Sequence, residues 1–197
     1  MCIEEIPTII STFSVFISTL KFFGKNRERN INKMINELSN INPVVKLLQE
    51  NENFTAYFYF MVEKAIKEVN DEKIKSWQNA IVNLATRFQY WDFKENFVKM
   101  LESLTFFDLT VLHQIYNIEI DFTKEDELAQ KIIVNLYKEG VDPNYTIQSF
   151  KRLETNNLII FLKSVSFSYD TKKTISSPYF RRNKLGHEFL TFINENK

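Results

Sequence analysis

From Leu104 to Ile193 the chain is punctuated in an order that few folds can follow. Thr105-x-x-Asp108 has the form of a capping box, with Asp in the reaching-back role, and starts a helix carrying Leu109, Leu112, Ile115 and Tyr116. Thr123-x-x-Asp126 repeats the device for a second helix, with Leu128, Ile132, Ile133 and Leu136 as its buried face and Gly140 as its stop. Asp142-Pro143 then supplies an N-cap followed by proline in the first turn. The third helix turns Ile147, Phe150 and Leu153 inward and leaves Tyr145, Gln148, Ser149, Lys151 and Arg152 on its other faces. Asn157 stands where a helix end must go left-handed, a job Asn can take from Gly. Beyond it Val165, Phe167 and Tyr169 alternate with Ser164, Ser166 and Ser168 at strand spacing. A loop holding Asp170, Lys172 and Lys173 leads to a return strand around Tyr179 to Arg182, and NKLGHEFLTFI closes the stretch as a last helix.

The first hundred residues read as helices throughout. Ile6, Ile9, Ile10, Phe13, Phe16, Ile17, Leu20 and Phe23 share one helical stripe, with Pro7 at its start and Gly24 at its end. The opposite face carries Thr8, Ser11, Thr12, Ser18 and Thr19, so the helix packs on one side and meets water on the other. Contact with a membrane surface through residues 6–23 is the competing use of that stripe, and Lys21, Lys25, Arg27 and Arg29 keep it open. A second helix spans about Asn30 to Ser39, a turn falls at Asn42-Pro43, and Val44 to Glu50 is a short continuation. Phe54, Phe58, Met61, Val62, Ala65 and Val69 then form one stripe. After a turn at Asn70-Asp71, Ile74, Trp77, Ile81, Leu84, Ala85 and Phe88 form another, a helical hairpin. The run Tyr57-Phe58-Tyr59-Phe60 points around the whole helix, so other elements or a partner must cover some of its rings. Phe93, Phe97, Val98, Leu101 and Leu104 make one more helix.

Composition agrees and excludes several chemistries. With 19 Phe and 8 Tyr against 3 Gly and 4 Pro, the chain favours helices on short connections. The fold class is therefore mainly α, with an N-terminal helical bundle or hairpin (residues 1–103) followed by a second domain (104–197) holding a small antiparallel β-hairpin. The uncharged run from Ile6 to Leu20 is 15 residues, short of the roughly 20 that span a bilayer. An acidic opening, MCIEEIP, is unlike a secretory signal, and the single cysteine, Cys2, excludes an internal disulfide. Both place the chain in the cytoplasm. No Gly-rich phosphate loop, HExxH pair or GxSxG elbow occurs. His113 lies between the core positions Leu112 and Ile115 and His187 lies in the last helix; they are the only histidines and nothing pairs them into a metal site. The sequence assigns no catalytic residue, metal or cofactor, and no enzyme activity.

Leu153, Glu154, Asn157, Leu158 and Ile159, followed by Asn183, Leu185 and Gly186, resemble the winged-helix family of bacterial regulators, the multiple-antibiotic-resistance repressor type among them. There a pattern like LExxGLI ends the third helix, and a Thr-x-x-Gly turn enters the last one. Asn157 replaces the usual Gly here and Asn183 the usual Thr. The whole arrangement also looks like uncharacterised bacterial helical plus winged-helix proteins. The resemblance implies a helix-turn-helix module whose third helix enters the major groove and whose wing touches phosphate.

Charge distinguishes the two halves of that module. The whole chain is neutral, but residues 141–197 carry nine Lys/Arg and five acids, while residues 106–140 carry three basic and seven acidic residues. The basic half is the one that would face DNA. The reading is a DNA-binding regulator whose helical N-terminal region makes it a homo-oligomer. Its nucleic-acid contacts would be Tyr145, Gln148, Ser149, Lys151, Arg152, Lys172, Lys173, Arg181 and Arg182. The alternative is a protein-interaction module in which the same winged helix and the aromatic N-terminal helices dock a protein partner.

Overall fold

The computed structural model describes residues 25–86, 91–118, 125–168 and 173–195. The expected first helix, residues 6–23, and the cap at Thr123 lie outside them. The chain divides into two compact units. One holds residues 1–102 together with 192–197, and the other holds 103–191. The architecture is mainly helical with a single two-stranded antiparallel sheet among the described residues. No helix of the described residues is long and apolar enough to cross a membrane.

The first unit contains α1 (Lys25–Ser39), α2 (Asn42–Glu50), α3 (Glu52–Lys67), α4 (Asp71–Thr86) and most of α5 (Trp91–Ser103). Asn51 separates α2 from α3 and serves both. Its backbone N–H donates to the carbonyl of Leu47, and its side chain accepts from the N–H of Phe54 at 2.9 Å. Asn70 starts α4 in the same way, accepting from Lys73 N–H at 3.0 Å. The expected hairpin of α3 and α4 is present, with Phe54, Phe58, Met61, Trp77 and Ile81 all buried. Val69 departs from the expected stripe and is 81 % exposed. The helix ends at Lys67, so the period that would have turned Val69 inward is broken in the connection.

The tail of the chain belongs to this unit as well. Phe192 packs on Phe97 with ring centroids 5.4 Å apart. Asn79 donates to the carbonyl of Ile193, and Asn83, itself buried, donates to those of Phe192 and Asn194 at 2.8 and 2.9 Å. These amides satisfy carbonyls that a helix leaves free at its C-terminal end.

The second unit begins with three helices, α6 (Phe106–Asn117), α7 (Glu125–Lys138) and α8 (Pro143–Thr155). They are followed by β1 (Ile159–Ser168), β2 (Lys173–Arg182) and α9 (Lys184–Ile193), whose last two residues belong to the first unit. Two of the helices stop in the same manner. At the end of α7, Gly140 has φ 88° and Val141 N–H reaches back to Leu136 O at 2.9 Å. At the end of α8, Asn157 has φ 55° and Leu158 N–H reaches back to Leu153 O, also at 2.9 Å. Both are left-handed stops in which the N–H of the residue after the turn closes on the helix it ends, with Val141 half-buried and Leu158 fully buried. Asn157 is the one non-glycine residue with positive φ among the described residues, as its side chain allows.

The hairpin is longer than strand spacing alone indicates. Ile159 pairs with Arg182 and Ser168 with Lys173, ten residues on each side, so Lys173 belongs to β2 and not to the connecting loop. β2 lies along α7, and the Phe180 ring meets Phe150 of α8 edge-on at 5.0 Å. The base of the hairpin is fastened by the hydroxyl of Tyr116. It lies 2.8 and 2.9 Å from the carbonyls of Leu158 and Asn183 and accepts from Asn183 N–H at 2.9 Å. Burial raises the pKa of this phenol, against the opposing influence of the Asn183 backbone bond and Arg182, so it stays a neutral donor. Asn183 caps α9 by accepting from Gly186 N–H at 2.8 Å and donates to Asn157 O at 2.8 Å. A Cβ on Gly186 would stand 2.1 Å from both Leu158 O and the Tyr116 hydroxyl, so no larger residue fits.

Gly186→Ala should therefore destabilise the second unit by on the order of 3 kcal/mol, because backbone must move to admit the methyl group. Tyr116→Phe should cost less, about 1–3 kcal/mol, the cost of buried partners left unsatisfied. Urea unfolding of the two variants checks both the magnitude and the order.

Candidate nucleic-acid interface

The candidate site is built on α8. Asp142 accepts from Asn144 N–H at 2.7 Å and Pro143 occupies the first turn, so the start of the helix is fixed from its own sequence. Phe150 and Leu153 are buried and hold one face against the unit, and Ile147 is half-buried. The residues left exposed are Asn144, Tyr145, Gln148, Lys151 and Thr155. Their spacing of three and four puts Asn144, Gln148, Lys151 and Thr155 in one row along the helix, with Tyr145, 62 % exposed, at its flank. Every member of the row carries a polar group.

The structure thus brings together three of the expected site residues, Tyr145, Gln148 and Lys151, and moves two others out of the row. Ser149 is buried rather than at the surface, and its hydroxyl donates to Asp108 Oδ1 at 2.7 Å. Arg152 is held by the same carboxylate. Its Nε lies 3.0 and 2.9 Å from the two Asp108 oxygens, and a terminal nitrogen lies 2.8 Å from Oδ1. Asp108 itself is fully buried, whereas the Arg152 side chain is 40 % exposed. The two residues shift because α6 packs against α8, which turns one polar edge of α8 into an interior surface.

Asp108 is the residue that pattern reading undervalued. The capping box at Thr105 is present: the Thr105 hydroxyl accepts from Asp108 N–H, and Asp108 Oδ2 accepts from Thr105 N–H at 2.8 Å. The same carboxylate also accepts from the Thr105 hydroxyl at 2.7 Å. Burial alone would raise its pKa. The hydrogen bonds from Arg152, Ser149 and Thr105 together outweigh burial and hold the carboxyl below the ordinary carboxylate value. One local sign was available, an Asp at a position where Glu or Gln is usual, but its partners on α8 are 41 and 44 residues away.

The hairpin contributes less free charge than the sequence suggests. Arg181 is exposed, and its register partner Ile160 is exposed with it. Arg182 points to the other face, as alternation requires, where it is half-buried and donates to the Ile118 carbonyl at the end of α6. A guanidinium there sits at the negative end of a helix and serves the fold. Lys172 lies outside the described residues, and Lys173 occupies the β2 position opposite Ser168. His113 is half-buried in α6, and burial lowers its pKa. His187 is exposed. Among the described residues no three His, Cys, Asp or Glu side chains are grouped to hold a metal ion.

Comparison of the chain with family models, with curated proteins and with solved structures found no match.

Asp108→Asn removes one partner of a buried ion pair. Discounting for the exposure of Arg152, the loss should be about 2–3 kcal/mol, below the range for fully buried pairs. The pH dependence carries the sign. Asp108 has a folded-state pKa below its ordinary 3.8, so its contribution is full above that value and fades as pH falls through the lower folded value. Stability measured against pH should show a weaker acid limb in Asp108→Asn than in the wild type. His113 adds a shallower decline that begins as pH drops below its ordinary 6.5, because the unfolded chain takes up the proton first.

Proposed function

We propose that residues 103–191 are a winged-helix module that binds double-stranded DNA as part of a regulator, with α8 entering the major groove and the β1–β2 hairpin acting as the wing. The observation that carries this reading is the row Asn144, Gln148, Lys151 and Thr155, exposed on a helix whose opposite face is buried. A helix of ordinary diameter fits the major groove. Amide side chains such as Asn144 and Gln148 match the donor–acceptor pair of adenine, and a lysine such as Lys151 matches the two acceptors of guanine. The order of three helices, hairpin and helix supports the same reading, as does the resemblance at Leu153 to Ile159 and Asn183 to Gly186.

Titration of a labelled duplex at several salt concentrations tests it. Binding should weaken linearly on a log–log scale as salt rises, because each engaged phosphate releases counterions. Absence of binding at low salt would end the proposal. Replacing Gln148 or Lys151 by alanine should flatten the preference between sequences by about 1–3 kcal/mol per lost base contact. Charge reversal at Lys172, Lys173 and Arg181 should weaken binding to all sequences alike.

One observation favours a second reading, a protein-docking module. Val134 and Tyr137 of α7 are exposed, Tyr137 by 66 %, and Tyr145 of α8 is exposed as well. Exposed aromatic rings of this kind anchor protein interfaces. Under this reading Tyr137→Asp would abolish association with a protein partner while Gln148→Ala would leave it intact. DNA binding would be absent.

A further inference from the structure

The geometry points to Arg152 as a phosphate-contacting residue set in place by Asp108, which makes Asp108 a positioning residue for the interface; the inference rests on the DNA-binding reading above and assigns Arg152 a role apart from base reading. A guanidinium carries five N–H bonds in a planar fork. Arg152 turns the edge formed by Nε and one terminal nitrogen towards the Asp108 carboxylate. The other terminal nitrogen and the outer N–H of the first have no partner among the described residues. The side chain is 40 % exposed, so that outer edge is accessible to solvent. Arg152 follows Lys151 and lies one turn beyond Gln148, so its head flanks the polar row and does not stand within it.

The anchor is unusually complete. Asp108 also accepts from the Ser149 hydroxyl and from both the hydroxyl and backbone N–H of Thr105, so the carboxylate is fixed from α6 and α8 together. A residue pinned in this way keeps one rotamer, and the entropy of ordering a long side chain is met on folding rather than on binding. Planar, two-edged donors are what a phosphate oxygen pair selects. Lysine carries the same charge without that shape.

The test uses the full chain and a labelled duplex of mixed sequence, with wild type, Arg152→Lys and Asp108→Asn compared across a salt series. Circular dichroism confirms that each protein is folded at the assay temperature. Arg152→Lys should bind about tenfold more weakly, with the salt dependence unchanged because the charge is kept. Asp108→Asn removes a negative charge, so bulk electrostatics alone would tighten binding; loss of positioning should weaken it instead. Wild-type affinity in Arg152→Lys, or tighter binding in Asp108→Asn, would overturn the inference while leaving DNA binding in place. Should Asp108→Asn not fold, the lysine variant decides by itself, since a lysine can still pair with Asp108. A wild type that does not bind removes the DNA-binding reading and this inference together, which the wild-type arm alone reveals.

Discussion

The buried carboxylate of Asp108 is the constraint on which the second unit depends. An ionised group with no exposed surface is tolerated only when charge and hydrogen bonds surround it. Asp108 meets that demand with the capping pair at Thr105 on its own helix and with Ser149 and Arg152 on α8. The angular setting of α8 follows from this. Ser149 and Arg152 must face α6, so Phe150 and Leu153 turn to the core and Asn144, Gln148, Lys151 and Thr155 turn to solvent. A cap that begins as a local device thereby sets which side chains the molecule can present.

The hairpin depends on a second fixed point of a different kind. Tyr116 reaches from α6 to Leu158, just before β1, and Asn183, just after β2, and Gly186 leaves the space its hydroxyl needs. Arg182, with its head at the end of α6, fastens the same corner. All three contacts sit at the base of the hairpin. Two strands with ten pairs and one sheet partner would be marginal in isolation. Here the base is tied to α6, β2 lies along α7, and Phe180 packs on Phe150.

The features legible in the sequence were those with a local cause. The caps at Thr105 and Asp142, the left-handed stops at Gly140 and Asn157, the α3–α4 hairpin and the Asn183 cap depend on neighbours within a few residues, and each is where the pattern put it. Features set by distant partners were not legible. Nothing near Ser149 distinguishes it from a surface serine, because the group that buries it lies 41 residues earlier. Arg182 looks like its neighbour Arg181 until strand alternation and the end of α6 separate them. The full length of β2 was hidden for another reason. Lys173, Ser176, Ser177 and Pro178 have weak strand propensity, and pairing with β1 holds them extended. Pro178 is tolerated because each strand of a two-stranded ladder has one edge without a partner.

These reassignments alter how the candidate interface must work. Counted from the sequence, residues 141–197 carry a basic surplus. In the structure Arg152 is neutralised by Asp108 and Arg182 is committed to Ile118. What remains exposed on α8 is one cation, Lys151, with no ion-pair partner among the described residues, beside the uncharged hydrogen-bonding side chains of Asn144, Gln148 and Thr155. Non-specific attraction grows with the number of phosphates neutralised, so α8 alone supplies little of it. Selectivity grows instead with matched donors and acceptors on base edges, which is what Asn144 and Gln148 offer. On the proposed reading, α8 would discriminate bases while Arg152 meets one phosphate, and most of the attraction to a phosphate backbone would have to come from the hairpin, where Arg181 is exposed and Lys173 pairs opposite Ser168 in β2.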